Sequence, residues 1–434
     1  MVPHLTTALS GPLRDLEQQI LNAMPAIERW FRNQWQEYEV PFYTSVDLRN
    51  SGFKIAPVDT NLFPAGFNNL NPDFIPLCVQ AAMVAVEKIC PDAQRFLLIP
   101  ESHTRNTFYL QNVARLTTIL RRAGLSVRIG SLLPEIERPT LLELPNGETL
   151  TLEPIRRENN RVILDAYDGN ERFNPCAVLL NNDLSSGIPA ILQDIEQTIL
   201  PPLYSGWAKR RKSAHFAHYD KVAVEFAELV DIDPWLINPY FSRCGEVNFA
   251  EQQGLECLAA QVESLLPRIE AKYKEYGISE KPFLIAKADA GTYGMGIMTV
   301  KSVDDVRNPN RKTRNKMSVI KEGQPLTEIL IQEGVYTFEN VDEAAAEPVI
   351  YMIDRFVVGG FYRVHTGRGI DENLNSPGMQ FVPLAFETDC HTPDCAGKPG
   401  DPPNRFYTYG VIGRLAMLAA AREIETLKEQ EEGV

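Results

Sequence analysis

Residues 283–301, Phe-Leu-Ile-Ala-Lys-Ala-Asp-Ala-Gly-Thr-Tyr-Gly-Met-Gly-Ile-Met-Thr-Val-Lys, constrain the fold more than any other stretch. The opening apolar run is too short for a buried helix and reads as a strand. Ile297 to Val300 reads as a second strand, and the loop between them carries Gly291, Gly294 and Gly296. A dinucleotide fingerprint needs a helix after its last glycine, and a P-loop needs Lys-Ser/Thr as well. Neither follows Gly296. Two readings remain. One is a flap whose backbone N–H groups close on phosphate oxygens, with Lys287 adding a point charge from the incoming strand. The other is a surface hairpin whose glycines only serve the turn.

The length of 434 residues predicts two or three domains. A net charge of −14 argues against nucleic-acid or membrane-surface partners, which need a basic face. No apolar run approaches the roughly 20 residues that span a bilayer. The opening Met1-Val-Pro-His-Leu-Thr-Thr lacks the charged and apolar regions of a signal peptide. Seven scattered cysteines predict reduced thiols and a cytoplasmic location. Cys390-His391-Thr-Pro-Asp-Cys395 fits no common zinc spacing and has no partner pair, so it reads as a proline-rich loop.

Leu13, Leu16, Ile20, Ile27 and Phe31 fall at helical spacing, with Pro25 splitting the segment into two helices. Residues 42–71 alternate short apolar pieces with Asp47, Arg49, Asn50, Lys54, Asp59 and Asn61. That density of short polar groups and two cations suits a small zwitterion: Arg49 or Lys54 would meet its carboxylate, and Asp59 its ammonium. A solvated loop with Asx-turns is the other reading. Val79 to Ile89 and Asn112 to Ala123 read as helices, alternating with strands Phe96 to Ile99 and Leu125 to Ile129. The alternation predicts a parallel sheet with helices on its faces. Ligands gather at the carboxyl ends of such strands, where the polar runs 100–106 and 181–186 lie; His103 carries no assignment. Residues 139–175 read as a small antiparallel insert turning at Pro145-Asn-Gly147.

A basic run at 206–215 precedes a helix expected to begin at Asp220-Lys221, with Asp220 as N-cap and Lys221 at its positive end. A second helix runs from Glu251 to about Leu266 and stops at Pro267. Residues 304–316 read as a loop, and Leu330 to Val335 as a strand holding Gln332-Glu333-Gly334. Residues 348–365 read as a hairpin turning at Gly359-Gly360 and carrying Asp354 and Arg363. In Asp371-Glu-Asn-Leu-Asn375 a carboxylate and two amides offer the hard oxygens that magnesium bridging phosphates requires. The segment from Tyr409 to Leu427 reads as an amphipathic helix.

In this order, these pieces resemble the ATP-grasp superfamily of carboxylate–amine ligases over roughly residues 205–380, with a preceding α/β domain. Asp47-Leu-Arg-Asn-Ser-Gly-Phe-Lys54, Pro57-Val-Asp-Thr-Asn61 and Gly359-Gly-Phe-Tyr-Arg363 resemble, more closely, the proteobacterial glutamate–cysteine ligases of ATP-grasp type. The resemblance implies an α/β chain: an N-terminal parallel-sheet domain of pre-ATP-grasp type over 1–204, then an ATP-grasp domain of two α+β subdomains over 205–434. It implies Lys221 and Lys287 on the ATP phosphates and Gly291, Thr292, Tyr293, Gly294 and Gly296 as the flap. Gln332, Glu333 and Val335 would line the adenine pocket, Glu339 would meet the ribose, and Arg363 with Lys287 would act in phosphoryl transfer. The family's Glu-x-Asn can be aligned in two registers, leaving Glu372, Asn373 and Asn375 as candidate magnesium ligands. The implied reaction phosphorylates the γ-carboxylate of L-glutamate with ATP, and the amine of L-cysteine then displaces phosphate. A ligase for another acid and amine is the nearest alternative. An inactive nucleotide-binding regulator is disfavoured by the retained lysines and Arg363. A homo-oligomer is left open.

Overall fold

A computed structural model describes the chain except residues 1–4, 7–11, 90–92, 103–105, 292–295, 319–327, 385–404 and 434. After a two-residue strand β1 (Leu5–Thr6), helices α1 (Pro12–Asn22) and α2 (Met24–Glu37) bury Leu13, Leu16, Ile20, Ile27 and Phe31. The expected break falls just before Pro25, at the second position of α2, where a missing N–H costs nothing. Strands β2 (Tyr43–Asn50) and β3 (Ile55–Asn61) follow as an antiparallel pair.

The predicted alternation is then present as α3 (Ile75–Ile89), β4 (Arg95–Pro100), α4 (Thr107–Arg122) and β5 (Ser126–Ser131). Next come β6 (Thr140–Glu143), β7 (Thr149–Pro154), β8 (Arg156–Glu158), β9 (Arg161–Ile163), β10 (Ala177–Asn181) and β11 (Thr198–Leu200). A six-stranded sheet of order β11-β10-β4-β5-β7-β6 results, parallel except for its β6 edge. The 139–175 segment is therefore only partly a separate insert: β6 and β7 turn at Asn146-Gly147 and extend this sheet, while β8 and β9 form their own hairpin.

Helix α5 (Lys212–Val230) starts eight residues before the expected point, so Asp220 lies inside the helix and caps nothing. Strand β12 (Phe241–Cys244) leads to α6 (Leu255–Glu275), which runs unbroken through Pro267. Leu258, Val262, Leu265, Ile269 and Tyr273 are buried on both sides of the proline. Burial of that continuous stripe outweighs the roughly 3 kcal/mol an interior proline costs. The glycine hairpin forms as predicted from β13 (Leu284–Ala288) and β14 (Ile297–Val300), antiparallel with Lys287 opposite Ile297. Short helices α7 (Asp304–Arg307) and α8 (Arg311–Met317) occupy the stretch expected to be a loop. The Asn310 side chain caps α8, accepting from Thr313 N–H, and Met317 anchors it in the core.

Strands β15 (Ile329–Glu333), β16 (Asn340–Val341), β17 (Ala344–Ile353), β18 (Phe356–His365) and β19 (Gln380–Pro383) precede a long final helix α9 (Arg405–Glu432). The β17–β18 hairpin turns at Asp354-Arg355, not at the paired glycines. Gly359 and Gly360 lie within β18 beside a bulge, with Gly359 at φ +142. A Cβ on Gly360 would approach the Val349 carbonyl to 2.5 Å. Strand β17 joins both ends of the chain, since it pairs with β18 and with β2 in a seven-stranded sheet. The third main sheet, β12-β15-β13-β14, carries the glycine hairpin. One predicted thiol state is corrected: Cys244 on β12 and Cys257 in the first turn of α6 form a disulfide, because α6 packs on β12.

Candidate active site

The three sheets converge on a cavity of about 260 Å³. Strands β2 and β3 supply Asp47, Arg49, Asp59 and Asn61; β13 and β15 supply Lys287, Gln332 and Glu333; β17 and β18 supply Glu347 and Arg363. Gly291, Val335, Glu372, Asn373 and Asn375 reach it from loops. Glu101, Asn181 and Asp183, at the carboxyl ends of β4 and β10, close its far side as the parallel sheet predicts.

Local backbone features aim the cations. Asp47 pairs with Asp59 but Leu48 pairs with Pro57, so Val58 is an extra residue in β3. Such a bulge turns a group out of the ladder. The Val58 carbonyl accepts from Lys287 Nζ at 2.5 Å, and Gln332 Oε1 accepts from the same ammonium at 2.9 Å. Burial pushes Lys287 down to about 8 against the pull of Asp59. Lys212, the first residue of α5, donates to both Asp59 carboxylate oxygens at 2.7 Å. Burial would raise the Asp59 carboxyl, yet Lys212 and Lys287 hold it well below its ordinary value. Arg211, preceding α5, makes no side-chain cap. Asp289 does that work from beyond β13, accepting from Ser213 N–H at 2.7 Å and Ser213 Oγ at 2.6 Å. The root of the flap and the helix bearing Lys212 are thereby tied together.

Four charged groups form the floor. Glu347 accepts from Arg49 Nε at 2.8 Å and from Arg363 Nη1 at 2.6 Å, and Asp47 accepts from Arg363 Nη1 at 2.9 Å. Burial alone would raise Glu347, but the two arginines keep it ionised below the usual range. Two buried donors on residues that line this cavity, Gln332 Nε2 and Arg363 Nε, have no partner among the described residues. Buried donors left unpaired cost about 1–3 kcal/mol each, which an incoming acceptor would offset.

Several expected contacts are arranged differently. Lys221 is exposed on α5 and lies outside the cavity; Lys212, two and a half turns earlier, lines it instead. Lys54 is buried behind Glu333, paired at 2.8 Å and 4.2 Å above the Trp235 ring, so it does not reach the cavity. Glu333 also accepts from Trp235 Nε1 and Tyr240 N–H, so both its carboxylate oxygens are engaged. Asn50 donates to Glu339 and Tyr409, and both Asn50 and Glu339 lie outside the lining. Arg49 lines the cavity but spends its donors on Glu347 and the carbonyls of Val335 and Glu372. Thr292, Tyr293 and Gly294 of the flap, His103, and the Cys390–Cys395 loop lie outside the described residues; Gly291 and Gly296 bound the flap at φ +90 and +58.

The sequence reading missed Lys212, Asp289 and Glu347. Phe216 and Tyr219 continue the apolar stripe of α5 back past Asp220, which would have placed Lys212 at its start. Glu347 is the lone charge in an otherwise apolar, fully buried strand, a pattern that requires a buried partner.

A family model described as glutamate-cysteine ligase matches residues 17–424. The chain belongs to the glutamate–cysteine ligase family. It is an enzyme that joins glutamate to cysteine, the ligation that serves glutathione synthesis. A crystal structure from Methylobacillus flagellatus KT, provisionally named gamma-glutamylcysteine synthetase, is 67% identical, covers 98% of this chain and 99% of its own, and superposes with a TM-score of 0.89. A glutathione synthetase-like effector from Globodera pallida has 11% identity and a TM-score of 0.43, covering 88% of each chain. D-alanyl-alanine synthetase A from Vibrio cholerae has 12% identity and a TM-score of 0.32, covering 69% of this chain and 76% of its own. Those last two likenesses are too slight to carry an argument. No curated protein matches the chain. Among the described residues no helix is long and apolar enough to cross a membrane.

Proposed function

We propose that the cavity is the site of a stepwise, ATP-driven ligation of the ATP-grasp type, in which the γ-carboxylate of glutamate is phosphorylated before the amine of cysteine attacks it. The observation that carries this reading is the convergence of Lys212, Lys287, Arg49 and Arg363 on one cavity. In this reading residues 205–434 hold the nucleotide and residues 1–204 the acid and amine, meeting where β2 joins β17. Lys212 and Lys287 take the phosphates, exchanging Asp59 and the Val58 carbonyl for phosphate oxygens. Gln332, Glu333 and Val335, which line the cavity, form the wall against the base. Arg363 steadies the transferred phosphoryl group, and Asp47, Asp59 and Asn61 face the amino-acid substrates. The flap between Gly291 and Gly296 excludes water from the acyl phosphate.

The donor set at the cavity rim fits magnesium: one carboxylate and two amides, all hard oxygen ligands. Glu372 accepts from Arg368 and Gly369 N–H, and Asn373 folds onto the backbone of Asn375. Among the described residues no three His, Cys, Asp or Glu cluster as a metal cage. Bound with ATP, magnesium would offset charge on the phosphate oxygens, with Glu372, Asn373 and Asn375 as its protein ligands. The amine is tested by measuring ADP release at constant glutamate with cysteine, 2-aminobutyrate, glycine or alanine. Cysteine should give the highest kcat/KM; a higher value with another amine would reassign the substrate.

A further inference from the structure

An amine attacks only after losing a proton, and the cavity is lined by several carboxylates that differ in how they are held. Both oxygens of Asp59 are taken by Lys212, and both oxygens of Glu347 by the two arginines. Glu333 is held on one oxygen by Lys54 and Tyr240 N–H and on the other by Trp235. Glu372 is held on one oxygen by Arg368 and on the other by Gly369 N–H. Asp47 is different. Its Oδ2 accepts from Arg363 Nη1 at 2.9 Å, whereas Oδ1 has only a long 3.4 Å contact from Nη2. It sits at the edge of the β2–β3 bulge, where side chains are re-aimed, and its side chain keeps 20% exposure toward the cavity.

Resting on the acyl-phosphate reading above, we infer that Asp47 is the base that takes the proton from the attacking cysteine ammonium. The ammonium gives one proton to Asp47 Oδ1 and becomes a neutral amine. Its lone pair forms the C–N bond at the acyl-phosphate carbonyl, the C–O bond to phosphorus breaks, and phosphate departs with that electron pair. The second nitrogen proton leaves with phosphate, and Asp47 returns its proton to water. The groups facing Asp47 are Arg363 from β18, Glu347 and Tyr351 from β17, Asp59 from β3 and, farther off, Lys287 from β13. Burial raises the Asp47 carboxyl, and Glu347 and Asp59 add to the rise against the opposing pull of Arg363. A carboxylate so placed accepts a proton more readily than Asp59, Glu347 or Glu372, whose partners hold them below the usual carboxylate range. Arg363, bound to the same carboxylate, brings the base beside the phosphoryl group.

Hydroxylamine is neutral at neutral pH and needs no base, so it separates this step from acyl-phosphate formation. Each enzyme is given ATP, glutamate and either cysteine or hydroxylamine, and amide and hydroxamate formation are followed across pH. In Asp47→Asn the ratio of cysteine rate to hydroxylamine rate should fall about 10²–10⁴-fold, the range of general-base catalysis. Asp47→Glu should recover at least part of that ratio. In the unaltered enzyme the cysteine rate should show an acidic limb that the hydroxylamine rate, expressed per neutral hydroxylamine present, lacks, a readout independent of whether any variant folds. Parallel loss of both rates in Asp47→Asn, or identical acidic limbs with the two nucleophiles, would overturn the assignment. Absence of hydroxamate from the unaltered enzyme would overturn the acyl-phosphate reading itself, and this inference with it.

Discussion

The two pairs of cations around the cavity are built in opposite ways. Arg49 and Arg363 lie in the seven-stranded sheet, pinned by Glu347 and Asp47 and spending several donors each on the protein. Lys212 and Lys287 stand at the start of α5 and on β13, sharing one carboxylate, Asp59, and a bulge carbonyl. The arginine pair is close to neutral as a unit and holds its geometry through charge-assisted bonds. The lysine pair carries the surplus positive charge on ammonium groups whose partners a phosphate can replace. On the proposed reading, one pair is scaffold with a catalytic edge and the other is the anion receptor.

That contrast breaks first at Glu347. Glu347→Ala leaves two buried arginines without their shared partner, and such a loss costs about 3–5 kcal/mol of folding stability. Urea denaturation checks it, and a cost below about 1 kcal/mol would show that the sheet pair is no scaffold. At Lys287 the expectation inverts. Lys287→Met should lower kcat/KM for ATP about 10²–10³-fold, the scale of losing one preorganised charge-stabilising donor. Its melting temperature should be unchanged or higher, because a buried charge has been removed. Thermal denaturation beside ADP-release kinetics separates the two effects.

A smaller effect follows from titration. With Lys287 pushed down to about 8, the free enzyme loses this charge as the pH rises through that value, so kcat/KM for ATP should decline there. The stability effect has the opposite sign. Between about 8 and the unfolded value near 10.4, the unfolded chain binds the proton and the native state does not. The contribution of Lys287 to stability therefore rises with pH across that window. Lys287→Arg should move the activity limb upward; an unmoved limb would assign it to another group.

The parts of this arrangement legible in the sequence were those set by local pattern. The β–α alternation from 76 to 130, the glycine hairpin and the strand ending in Gln332-Glu333 follow from apolar periodicity and turn residues, and the structure contains them. The β17–β18 turn was misplaced because a Gly-Gly pair signals a turn. Here it serves a bulge and a close backbone approach inside a strand. Lys54 and Arg49 could not be separated from substrate contacts, since their partners Glu333 and Glu347 lie almost 300 residues away in the chain. Nor could the cap on α5 be read locally, because Asp289 supplies it from 76 residues downstream. Long-range pairing of buried charge is what the sequence leaves open, and it decides which cations remain free to bind.

The account rests on Lys212, not Lys221, facing the nucleotide phosphates. The direct measurement is the Kd for ATP, by equilibrium titration, of Lys212→Ala and Lys221→Ala compared with the unaltered enzyme. Loss of one charge-assisted contact to phosphate is worth about 1.5–3 kcal/mol. Lys212→Ala should therefore weaken binding about ten- to a hundredfold, while Lys221→Ala, exposed and outside the cavity, should leave it unchanged. Unchanged affinity in Lys212→Ala together with weakened affinity in Lys221→Ala would contradict the account.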